Sequence, residues 1–126
     1  MEGIIKVCSF NEIIPLKMLS KESVDFKDNG KTVYIGYFED DLIVGVVGYQ
    51  WIGNKIRYKT DGVRKTHRNL GIYKKLFKYR DSICKPMKAK SITAFCTNKS
   101  VGTYIKNGFC IKKTNGNISF VERVNL

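Results

Sequence analysis

At 126 residues, 43% of them hydrophobic and 27% charged, the chain has room for one globular domain, 1–126, and not for two. Its longest apolar run, Leu42 to Gly48, is strand-sized and far short of the roughly 20 residues a membrane span needs. The opening Met-Glu-Gly-Ile-Ile-Lys lacks the basic-then-apolar pattern of a secretion signal, so a cytoplasmic protein is expected. The net charge of +12 is lopsided: residues 1–61 hold 8 Lys/Arg against 9 Asp/Glu, and residues 62–126 hold 15 against 2. That surplus suits a nucleic acid or another acidic partner.

In chain order, Gly3 to Ser9 alternates weakly and predicts a first strand. Asn11 is placed to cap a helix with Pro15 near its first turn and Ile14, Leu16, Met18 and Leu19 as apolar positions. Lys27 to Lys31 is a turn cluster around Asn29-Gly30. Thr32–Phe38 and Leu42–Trp51 flank Glu39-Asp40-Asp41 as a hairpin, and Asn54–Gly62 is a third consecutive strand. From Gly71 to Cys84 the spacing turns helical, with Ile72, Leu76, Tyr79 and Ile83 on one face and Pro86 beyond the end. Ser91–Cys96 is a short strand of the buried type. Lys99–Lys106 is a brief helix stopped by Asn107-Gly108. Phe109–Lys113 and Ile118–Val124 close the chain as a hairpin.

The order β-α-β-β-β-α-β-α-β-β predicts an α/β fold: a mixed, largely antiparallel sheet flanked by helices. In it the fourth strand gains a parallel neighbour from the strand after the long helix. Cys8, Cys96 and Cys110 sit in apolar, strand-like runs and read as small buried hydrophobes. Cys84 forms no Cys-x-x-Cys pair with them, and His67 has no ligand neighbour in sequence, so a zinc site is not expected.

The densest signal is Val63-Arg-Lys-Thr-His-Arg68-Asn69-Leu70-Gly71-Ile72-Tyr73, a strand end that runs through a turn into a helix. Amides of a first helical turn lack intrahelical acceptors, and the macrodipole adds about half a positive charge there. Such a turn accepts a phosphate. Together with Tyr104-Ile105-Lys106-Asn107-Gly108-Phe109 and the order of elements, it resembles the GNAT superfamily of N-acetyltransferases over nearly the whole chain. The matching signature is Arg/Gln-x-x-Gly-x-Gly/Ala, here Arg68 to Tyr73.

That resemblance implies transfer of an acyl group from acetyl-CoA, or another acyl-CoA, to an amine. It implies that the main chain of Arg68, Asn69, Leu70, Gly71, Ile72 and Tyr73 receives the pyrophosphate and that Val63 contacts the pantetheine arm. It implies splaying of the fourth and fifth strands, and it implies Tyr104 as proton donor to the departing thiolate. The family's Asn falls at Thr97, with Asn98 one residue late as the candidate. Tyr73 stands where the family has Gly or Ala. The slot of a family Glu base holds Arg57, which leaves Asp61, Tyr58 and His67; Asp61 is the candidate for orienting a water, and His67 reads as exposed. The short stretch between first helix and second strand suggests an open acceptor site. Two further readings stand beside this one. Val101-Gly102-Thr103-Tyr104 resembles the Mom DNA-modification group. With Lys74, Lys75, Lys78, Lys85, Lys88 and Lys90, a nucleic acid would dock beside the thioester, and Trp51, Tyr49 or Tyr58 would stack an extruded base. The alternative is a module that binds without turnover.

Overall fold

The computed structural model describes residues 3–17 and 28–124. The expected Met18 and Leu19 positions, and residues 18–27 of the short stretch expected to open the acceptor side, fall outside them. Seven strands form one sheet in the order β1-β2-β3-β4-β5-β7-β6. They are β1 (Ile4–Cys8), β2 (Val33–Glu39), β3 (Leu42–Ile52), β4 (Lys55–Val63), β5 (Ser91–Thr97), β6 (Cys110–Asn115) and β7 (Ile118–Val124). Only β4 and β5 run parallel, and α2 (Ile72–Cys84) is the crossover between them. The expected α/β layout is the one observed.

Helix α1 (Phe10–Lys17) starts two residues earlier than its sequence suggests. Ser9, not Asn11, is its cap: the Glu12 amide donates to Ser9 Oγ at 3.3 Å while the Ser9 amide donates to Glu12 Oε1 at 3.0 Å. This reciprocal pair satisfies two amides that would otherwise face water alone. Helix α3 (Val101–Lys106) is shorter than expected by two residues, because Lys99 and Ser100 form the turn that enters it.

The apolar side chains divide between the two faces of the sheet. Ile13 and Leu16 of α1 pack with Tyr34, Phe38, Ile43 and Val46. On the other face Ile72, Leu76 and Phe77 of α2 and Tyr104 of α3 pack with Ile35, Val44, Tyr58, Ile92 and Ala94. Phe77 is the hub of that face, with Tyr104 edge-on at 4.9 Å and Tyr58 at 5.8 Å between ring centres.

Two sequence expectations about cysteines separate here. Cys96 is buried as expected, but Cys8 is half-buried and Cys110 is exposed, while Cys84 is buried. Cys110 lies on β6, an edge strand whose residues are all exposed, so strand character there does not mean burial.

Candidate active site

The parallel pairing of β4 and β5 is short: Ile56 lies opposite Ile92, Arg57 opposite Thr93, and Tyr58 opposite Ala94. Past that point β4 runs on to Val63 against β3 and β5 to Thr97 against β7, no longer paired with each other, so the two strands part. The gap opens a cleft of about 450 Å³ whose walls include Lys59 to Val63 on one side and Phe95 to Thr97 on the other. Strand edges that face such a gap offer amide and carbonyl groups to a ligand rather than to each other.

Beyond β4 the chain makes one turn of 3₁₀ helix over Lys65–His67 and enters α2 at Gly71. Two residues of this loop are left-handed, Asn69 at φ 65° and Gly71 at φ 80°. A side chain at 71 would meet nothing within 4 Å, so the space over this glycine is open. The first helical bond runs from the Lys75 amide to the Gly71 carbonyl at 3.1 Å, which leaves the amides of Ile72, Tyr73 and Lys74 in the open first turn. No side chain caps that turn and no acidic residue lies in it. Lys74, Arg68, His67 and Lys99 stand around the mouth of the cleft. The arrangement suits a doubly charged anion such as a diphosphate.

Arg68 and Val63 are joined directly, since Arg68 Nε donates to the Val63 carbonyl at 3.1 Å. His67 is half-buried rather than exposed: its Nε2 pairs with Glu39 Oε1 at 3.0 Å and its Nδ1 with Thr66 Oγ1 at 2.8 Å. The Glu39 contact pins the loop to the end of β2, and the Thr66 contact stays within the turn.

Asp61 is where the structure departs most from the sequence reading. Between β3 and β4 the register slips: Val46 pairs with Gly62 but Gly48 pairs with Lys59. Thr60 sits in that bulge at φ 61°, a left-handed conformation that is costly for a β-branched residue. The extra residue advances the pleat by one, so Asp61 reaches Arg80, the buried arginine of α2. Arg80 Nη1 donates to Asp61 Oδ1 at 2.7 Å and Nη2 to Oδ2 at 3.1 Å, a two-pronged ion pair. Tyr104 Oη donates to Asp61 Oδ2 at 2.7 Å, and Tyr73 Oη donates to the same oxygen. Arg80 also donates to the Gly48 carbonyl at 3.0 Å and to Tyr104 Oη at 3.3 Å, and its guanidinium lies 3.9 Å over the Tyr58 ring.

Burial and the Asp61 carboxylate together hold the phenols of Tyr104 and Tyr73 well above the ordinary tyrosine range; Arg80 opposes the shift and loses. Burial would pull the Arg80 guanidinium down, but Asp61 against it wins and holds it above its ordinary value. Arg80 Nε is buried with no partner among the described residues. Asp61 is thus the acceptor of a closed network, and that disfavours it as the residue that orients a water for an incoming amine.

The cleft brings together Asp61, Val63, Arg68, Asn69, Gly71, Ile72, Tyr73 and Tyr104. It does not include Leu70, whose side chain is exposed, or Asn98, whose amide donates to Asn117 Oδ1 at 3.4 Å. Thr97, not Asn98, borders the cleft. Tyr58 is also unsuited as a base: it is fully buried, donates to Asp81 Oδ1, and burial pushes its phenol up. Arg57 donates to Thr93 Oγ1 at 3.0 Å and lies over Phe95 at 4.8 Å. Sequence reasoning missed Arg80 altogether. An arginine at the inward spacing of an amphipathic helix was the available signal, because a cation there needs a carboxylate from the sheet.

The basic residues do not form one surface. Lys74, Lys75 and Lys78 are exposed on α2 near the cleft, but Lys85, Lys88 and Lys90 follow the far end of that helix, about 20 Å away. Trp51 is exposed at the same far end, beside the β3–β4 turn, and Tyr49 and Tyr58 are buried. None of the three aromatics can stack a base at the cleft.

No protein-family model matches the sequence, and no curated protein matches it. Solved structures do match. An Ard1 from Thermoplasma volcanium has a TM-score of 0.80 at 16% identity, covering 100% of this chain and 99% of the other. PaiA N-acetyltransferase from Thermoplasma acidophilum, solved in complex with coenzyme A, has 0.77 at 18%, covering 98% and 99%. A GNAT-family acetyltransferase from Staphylococcus aureus has 0.74 at 21%, covering 98% and 99%. The chain therefore has the GNAT fold over its whole length, as the signature implied.

Proposed function

We propose that the protein is an acyl-CoA-dependent N-acyltransferase, with acetyl-CoA as the expected donor. The observation that carries this reading is the junction of two features: an uncapped helix start with open space over Gly71, and a strand gap that leads from it to Tyr104. The amides of the loop and first turn of α2 fit a pyrophosphate. The edges of β4 and β5 that face the gap fit the amides of a pantetheine arm, and the cleft between them is lined by both strands and by the start of α2. When bound, the thioester supplies the acyl group and a sulfur leaving group.

The protein's own part is mainly to hold carbonyl and amine in attack geometry and to exclude water from one side. The amine nitrogen forms the new bond to the acyl carbon as the carbon–sulfur bond breaks. Tyr104, protonated at any working pH by its burial, gives its proton to sulfur, and the proton lost by the amine returns to the phenolate through water. A carboxylate base is not required by this scheme, which agrees with the engagement of Asp61.

The test is direct. Acetyl-CoA is expected to raise the melting temperature, and incubation with mixed amines, peptides and DNA is expected to release free thiol. No thermal shift at saturating acetyl-CoA would sink the proposal. A polyanionic acceptor is a finer reading, favoured by Lys74 at the cleft and by Lys75 and Lys78 exposed on the same helix; it predicts thiol release that depends on nucleic acid and collapses with salt. Tight binding of coenzyme without turnover on any acceptor would select the non-catalytic module instead.

A further inference from the structure

Tyr104 lines the cleft, yet its proton points at Asp61 and not at the open space. For that proton to reach a sulfur, Asp61 must release it without being left short of donors. The structure contains what this needs. Asp61 keeps two donors when Tyr104 turns away: Arg80, through both nitrogens, and Tyr73, on the very oxygen that Tyr104 vacates. The phenolate left behind would not be isolated, because Arg80 Nη2 already approaches Tyr104 Oη at 3.3 Å.

We propose that Arg80 and Tyr73 are positioning residues, which hold Asp61 so that Tyr104 can lend its proton to the leaving sulfur and take one back. On this view Tyr73, which departs from the small residue of the signature, is the second donor that frees the first. The proposal rests on the acyltransferase reading and deepens it. The proton goes from Tyr104 Oη to sulfur, the phenolate is stabilised beside Arg80, and water that carries the amine's surplus proton restores it. The titratable groups facing this centre are Asp61 and Tyr58 from β4, Tyr73, Arg80 and Cys84 from α2, and Cys96 from β5.

The experiment titrates the thiol of bound coenzyme A by the ultraviolet absorbance of its thiolate, in wild type and in Y104F, Y73F, R80K and D61N. In wild type the bound thiol is expected to titrate about one pH unit below the free thiol, the worth of one strong hydrogen bond to the anion. Y104F abolishes the difference. Y73F and R80K shrink it, because Asp61 then holds the Tyr104 proton harder. D61N enlarges it, because the proton is released and Arg80 is left unbalanced. A network that serves only packing would move all of these variants alike. D61N moving in the same direction as Y73F, or Y104F leaving the bound thiol unchanged, overturns the proposal. Y73F loses only a hydroxyl, so it decides the matter should R80K fail to fold. Coenzyme that binds with an unshifted thiol removes this inference alone, whereas coenzyme that does not bind removes the acyltransferase reading with it.

Discussion

Replacing Arg80 with Met keeps the length and the apolar stem of the side chain and removes the charge. The side chain of Arg80 is 0% exposed and that of its partner Asp61 is 11% exposed. The variant therefore leaves a nearly buried carboxylate with phenols but no cation, and the Gly48 carbonyl without its donor. Breaking one side of a buried pair costs about 3–5 kcal/mol. That is a large part of the roughly 5–15 kcal/mol that holds a domain of this kind folded. With a sensitivity of roughly 3–5 °C per kcal/mol at this chain length, the melting temperature should fall by about 10–25 °C. Urea unfolding of R80M, D61N and the double variant measures the coupling. In the double variant no charge remains to be stranded, so it should recover at least about 2 kcal/mol relative to the sum of the singles. A loss below about 1 kcal/mol in R80M, or strict additivity, would refute the account of this pair as a mutually dependent unit.

Other outcomes follow from the same geometry. Gly71→Asp puts an anion over the open helix turn at a left-handed φ of 80°, and should abolish the thermal shift with acetyl-CoA, whereas Gly71→Ala should weaken it only. Ser9→Ala removes one half of the α1 capping pair and should cost about 1 kcal/mol in urea unfolding. Burial pushes the Cys84 and Cys96 thiols up to about 11, so a thiol reagent at about pH 8 should label the exposed Cys110 quickly and reach those two only on unfolding. The hydrogen bond from Ser91 holds the Glu122 carboxyl below its ordinary 4.5, and Lys55 adds to this. The contribution to stability is present above that value and lost as pH falls below it; Ser91→Ala should bring the Glu122 titration, followed by carboxyl NMR, back up.

The fold was legible because each element carries its own periodicity and its own punctuation. Asn107-Gly108 ends a helix, Asn115-Gly116 turns a hairpin, and Ile72 and Leu76 give α2 its helical spacing, although Tyr79 of the expected face is exposed and Phe77, Arg80 and Cys84 are buried instead. The open first turn of α2 was legible too, since free amides at a helix start depend on local chain geometry. The network around Asp61 was not. Its position depends on a bulge at Thr60, and no residue type announces a bulge whose left-handed residue is a threonine rather than a glycine. Without that extra residue the alternation along β4 would send Asp61 to the opposite face from Tyr58, away from Arg80. The α1 start was misjudged for a simpler reason: Asn11 and Ser9 are both good caps, and only the Glu three residues after Ser9 distinguishes them.

Arg80 and Asp81 are neighbours in sequence but answer to different strands. Arg80 pairs with Asp61 on β4, while Asp81 receives both nitrogens of Arg123 on β7 and the Tyr58 hydroxyl. The helix is thereby keyed into the sheet by two ion pairs of opposite polarity. A slip of one residue in one direction would set Asp81 against Asp61, and in the other would set Arg80 against Arg123, so repulsion opposes it either way. The amino end of α2 consequently keeps a fixed distance from the place where the strands part, like a ruler with its zero mark locked.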